Sequence, residues 1–107
     1  MKYKIQFILD KQISTDRIRD IKLTLLNDEV DMSLISDYPI HIPDDFIYLS
    51  DIKFSILRKE VKITRGFYNI EVTILDTETL DKIREEADKT RRKYEYSSSV
   101  YKRLATI

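Results

Sequence analysis

Asp44, Glu60 and Lys62 are the side chains whose types and spacing come nearest to a catalytic arrangement. Two carboxylates at a strand end can hold a divalent cation, and a lysine two residues beyond the second can stabilise charge or help to activate water. Asp51-Ile52-Lys53 repeats the last part of that spacing. His41 is the only histidine, so any triad, His-ligated metal or His acid–base pair would have to use it. It stands between Ile40 and Ile42 in a stretch bounded by Pro39 and Pro43. That context predicts a half-buried loop residue.

Pro43-Asp44 followed by Glu60-Val61-Lys62 resembles the PD-(D/E)xK nuclease signature over about 20 residues. The resemblance implies a Mg²⁺-dependent nuclease with Asp44 and Glu60 as ligands and Lys62 as the catalytic lysine. A chain with 36 % charged residues generates short matches of this kind by composition, as the second one shows. The expectation is therefore a non-enzymatic protein with no catalytic residue, metal or cofactor. The nuclease is kept as a second alternative.

Charge is segregated along the chain. Between Asp28 and Asp51 stand Asp28, Glu29, Asp31, Asp37, Asp44, Asp45 and Asp51 with no Lys or Arg. From Lys89 to Arg103 six cations face only Glu95. Acidic and basic residues total 19 each, so a formal net charge of zero conceals two segments of opposite sign. Such segments steer encounters with partners, including other copies of the chain.

Composition narrows the functional classes further. The length of 107 residues predicts one domain, and 42 % apolar residues are enough for a core. No apolar run reaches the ~20 residues that span a bilayer. Gln6, Asp10 and Lys11 interrupt any secretory h-region, and the expected location is cytoplasmic. Cysteine is absent, which excludes disulfides, thiolate catalysis and Cys-ligated zinc. Gly66 is the only glycine, and a dinucleotide fingerprint or P-loop needs several. Small size and skewed composition fit a viral or phage accessory factor.

The elements that must position these residues follow from periodicity. Tyr3, Ile5, Phe7 and Leu9 alternate with polar residues, predicting a strand over 2–9. Residues 15–26 read two ways. Ile18, Ile21 and Leu25 have helical spacing, whereas Ile21, Leu23 and Leu25 alternate. The favoured reading is a helical turn at 15–19 and a hairpin of 20–26 with 30–36; the other is one helix over 15–26. The Pro-bounded stretch to Asp51 predicts an edge segment or loop. Ile52–Ile56, Val61–Ile63 and Ile70–Ile74 predict a hairpin turning at Gly66, with a bulge near Leu57-Arg58-Lys59.

The last element begins at Asp76 or Thr77, either one a good N-cap. Its stripe of Leu80, Ile83, Ala87, Thr90, Tyr94, Ser97, Tyr101 and Leu104 alternates in steps of three and four. Leu80, Ile83 and Ala87 are expected to pack on the sheet. A helix over 77–104 would be roughly 42 Å long, against about 30 Å for a body of ~76 residues.

The expected fold is α+β: an antiparallel sheet of about five strands with one long C-terminal helix. The expected function is binding and assembly through protein–protein contacts, including self-association through the last helix, with Arg91, Arg92, Tyr94, Tyr101 and Leu104 as the contact residues. Tyr and Arg are enriched at interface hot spots, and the result would be a homo-oligomer. The first alternative is nucleic-acid binding by the basic, Tyr-bearing tail with Lys53, Arg58, Lys59, Lys62 and Arg65 of the hairpin.

Overall fold

The computed structural model describes residues 2–105, with side chains through Arg91. Its order is β1 (Lys2–Leu9), α1 (Thr15–Asn27), β2 (Ser33–Ser36), β3 (Phe46–Leu49), β4 (Ile52–Thr64), β5 (Phe67–Asp76) and α2 (Thr77–Ala105). The chain forms two units, residues 1–77 and 78–107.

Five strands form one sheet in the order β2-β1-β5-β4-β3. β1 is parallel to β5, and the other three pairings are antiparallel. The sheet is mixed, which corrects the purely antiparallel expectation. Periodicity identifies strands but carries no information on which of them become neighbours. The parallel register sets Ile5, Phe7 and Leu9 beside Ile70, Val72 and Ile74, so apolar residues share one face. β5 is then central, and Val72 to Asp76 are all buried.

Residues 20–26 are helical, which corrects the favoured hairpin in favour of the single helix. Burial explains the outcome. Ile21 and Leu25, one turn apart, are 0 % and 2 % exposed, whereas the alternating partner Leu23 is 51 % exposed. The helical spacing therefore matches the face that packs. Ser14 caps α1 by accepting from the Arg17 backbone N–H at 3.2 Å. At the other end, Val30 N–H donates to Leu25 C=O and Glu29 N–H to Leu26 C=O, a Schellman closure with Glu29 at φ +55°.

The β4–β5 hairpin and its bulge follow the sequence expectation. Thr64 pairs with Phe67 around Arg65 and Gly66, and Gly66 supplies φ +75° at the turn. The register slips between Ile56 and Arg58, leaving Leu57 as the extra residue. The slip changes which side chains share a face: Phe54 and Ile56 are followed on that face by Lys59, Val61 and Ile63. Arg58, Glu60 and Lys62 go to the other.

The core lies on the face of Ile5, Phe7, Val72, Ile74 and Phe54, and Ile21, Leu25, Ile13, Ile42 and Leu49 are buried with them. Burying each such side chain stabilises the fold by roughly 1.5–3 kcal/mol. Arg17 of α1 bonds to Asp76 of β5, which shares a face with Phe54, and this fixes α1 over that face. The opposite face presents Lys4, Gln6, Lys62, Asn69 and Glu71 around a shallow polar depression.

Candidate interaction surfaces

The nuclease-like residues are not brought together. The loop after β2 places Asp44 beside Lys59, and the bulge at Leu57 places Lys59 on the apolar side of the sheet. Glu60 and Lys62 emerge on the polar side. There Arg58 pairs with Glu60 at 3.0 Å, and Lys62 approaches Glu71 at 3.4 Å. Among the described residues, no group of three His, Asp or Glu side chains is placed to hold a metal ion. Asp51 occupies the β3–β4 turn, and Lys53 sits 4.4 Å above the Phe46 ring.

Lys59 acts instead as a latch. Its Nζ donates to the Ile42 carbonyl and to Asp44 Oδ1, both at 2.7 Å. One ammonium thereby ties the Pro43 loop across β4, and Ile42 is carried into the core at 8 % exposure. The hydrogen bond and charge of Lys59 lower the pKa of the exposed Asp44 carboxyl below its ordinary value. His41, next to Ile42, is exposed rather than half-buried. Both residues lie in the loop between β2 and β3, where Ile42 turns inward and its neighbours His41 and Pro43 face outward.

The basic hairpin run is divided in the same way. Arg58, Lys59 and Lys62 each contact a carboxylate, and they are split between the two faces. The seven carboxylates from Asp28 to Asp51 are all exposed. Ser50 in the β3–β4 turn donates its hydroxyl to Asp28 at the end of α1, joining two distant parts of the acidic segment.

α2 is one uninterrupted helix over 29 residues. Arg91 is exposed on it. Arg92, Tyr94, Tyr101 and Leu104 belong to the same helix by backbone, and their side chains lie outside the described residues. Within the described part, every residue from Asp81 to Arg91 is exposed except the half-buried Ile83, and Ala87, expected in the core, is exposed. Lys82 lies 3.7 Å from Glu78, a helical i, i+4 pair.

Two exposed apolar areas on the body have no counterpart in the sequence expectations. Val61 and Ile63, on the core side of β4, are 60 % and 68 % exposed. They continue the rows of Ile70 and Tyr68, and Tyr68 stacks on Tyr3 with centroids 5.2 Å apart. The second strip is on α1, where Ile18, Leu23 and Leu26 flank a mostly apolar groove. In the sequence, both sets form part of the same periodicities that supply the core, and only the extent of the covering layer separates them.

Among the described residues, no helix is long and apolar enough to cross a membrane. No family model, curated protein or solved structure matches the chain.

Proposed function

We propose that this chain is a small non-enzymatic assembly protein that associates with a second copy through α2. The observation that carries this reading is a 29-residue helix whose described surface from Asp81 to Arg91 is almost wholly exposed. A helix that is polar nearly all round gains little from its own side chains, and most helical stability comes from packing an apolar face. The sequence supplies such a face as a seam. Leu80, Ala87, Tyr94 and Tyr101 fall at position a of a heptad, and Ile83, Thr90, Ser97 and Leu104 fall at position d. A mean step of 3.5 residues keeps one seam facing one partner helix over its whole length. Tyr94, Tyr101 and Leu104 are the anchors, while Arg91 and Arg92 set orientation.

Sedimentation equilibrium tests the proposal. A dimer has twice the 12.8 kDa of the single chain, and the paired substitutions Tyr94→Ala and Tyr101→Ala should move the population toward monomer. A monomer at every accessible concentration refutes the reading.

A further inference from the structure

We propose that the two α2 helices pair antiparallel, so that the acidic first half of each lies along the basic second half of the other. This rests on the self-association reading above and names the orientation of that pair.

Charge decides between the two orientations. Residues 77–88 contain five carboxylates and two cations, whereas residues 89–105 contain six cations and one carboxylate. A parallel pair sets each half against its own sign. With full overlap, an antiparallel pair sets the acidic residues 77–88 of each copy against 96–105 of the other, where Lys102 and Arg103 are the cations, and it also opposes the two helix dipoles. Near the midpoint, Lys89, Arg91, Arg92 and Lys93 meet the same four residues of the facing copy. Those positions flank the seam, where water and salt keep the cost small.

Side-chain volume points the same way. With full overlap, Leu80 stands opposite Leu104 of the facing copy, Ile83 opposite Tyr101, Ala87 opposite Ser97, and Thr90 opposite Tyr94. Each tyrosine then shares its layer with a smaller residue. The parallel arrangement stacks Tyr94 on Tyr94 and Tyr101 on Tyr101, whereas the thin layers of Ala87 and Ser97 are common to both orientations. Cores prefer the even distribution of volume.

The chain has no cysteine, so one introduced thiol gives one spin label per copy. Labels at Asp81→Cys and, separately, at Arg91→Cys are read by pulsed dipolar spectroscopy. Antiparallel pairing predicts roughly 35 Å between labels at 81, from a rise of 1.5 Å per residue, and about 15 Å at 91, near the crossing point. About 15 Å at both positions means a parallel pair and overturns the orientation while leaving self-association intact. A dimer by sedimentation with long distances at both positions places the interface off α2, which overturns orientation and seam together. A monomer by sedimentation refutes the self-association reading itself.

Discussion

Arg17 Nε lies 2.9 Å from Asp76 Oδ2, joining the first turn of α1 to the last residue of β5 across 59 positions of sequence. The Asp76 side chain is 0 % exposed and the Arg17 side chain 27 % exposed. A buried carboxylate requires a charged or hydrogen-bonding partner, and its cost falls due when that partner is removed. The pair sits where the sheet ends and α2 begins, so it fixes how α1 covers the sheet. Arg17→Met should lower stability by about 3 kcal/mol, the low end for breaking a buried pair because Arg17 keeps some water. Urea denaturation would measure it, with Arg19→Met, an exposed position on the same helix, as the control. A loss no larger than the control's would remove the pair from the account of the fold.

Glu29 and Ser50 are the non-glycine residues with positive φ among those described, at +55° and +57°. The left-handed region costs an L-residue roughly 1–2 kcal/mol. Glu29→Gly should therefore stabilise the chain by roughly 0.5–1 kcal/mol, after the extra freedom glycine gives the unfolded state is subtracted. Ser50→Gly relieves the same strain but removes the hydroxyl that bonds Asp28. A hydrogen bond contributes about 1 kcal/mol, so that change should be near neutral. Equal gains in thermal melts at the two sites would show that the Asp28 bond contributes nothing.

Lys59 lowers the Asp44 pKa, which gives the latch a definite pH dependence. A carboxyl depressed by folding contributes stability above its unfolded pKa of about 3.9, and that contribution is lost as pH falls through the lower folded value. The Asp44 side of the latch is thus charged at neutral pH and is lost in acid. NMR titration should place the Asp44 carboxyl below the ordinary aspartate range, and Lys59→Met should return it there. Asp44 is exposed, so its removal in Asp44→Asn should cost little at neutral pH. An unperturbed titration in the parent chain would show that the contact does not persist in solution.

Ile63 and Phe54 share a strand and a face but differ in what covers them, at 68 % and 0 % exposure. Phe54→Ala should cost roughly 3–5 kcal/mol, as large-to-small core changes do. Ile63→Thr should change the stability of the monomer by less than about 0.5 kcal/mol. A cost above about 2 kcal/mol at Ile63 would mean that another molecule covers this end of the sheet in solution. The comparison must be made across protein concentration, because only then does burial by a partner separate from burial in the fold.

Local chemistry made much of this chain legible. The alternation of Tyr3 to Leu9, the Gly66 turn, the Leu57 bulge and the start of the last helix near Thr77 each depend on side chains within a few residues of one another. Such signals survive in a sequence because the backbone responds to its immediate neighbours. Residues 15–27 show where this ends. Ile18, Ile21, Leu23 and Leu25 satisfy both helical and strand spacing, and the packing of Ile21 and Leu25 in the core decides for the helix.

The candidate site was less legible because faces depend on register. Counted by simple alternation from Phe54, Glu60 and Lys62 would point to the core side, toward the loop that carries Asp44. One extra residue at Leu57 sends them to the other side and brings Lys59 to Asp44 instead.

By itself, the sequence determined β1, the β4–β5 hairpin with its turn, the segregation of charge and the three–four stripe of the last helix, since all of these are written in neighbouring residues. Tertiary structure alone decided the parallel contact of β1 with β5, the Arg17–Asp76 pair and the exposure of Ile63 beside a buried Phe54. Each of those joins residues far apart in the chain, and their free energy exists only once the rest of the fold has brought them together.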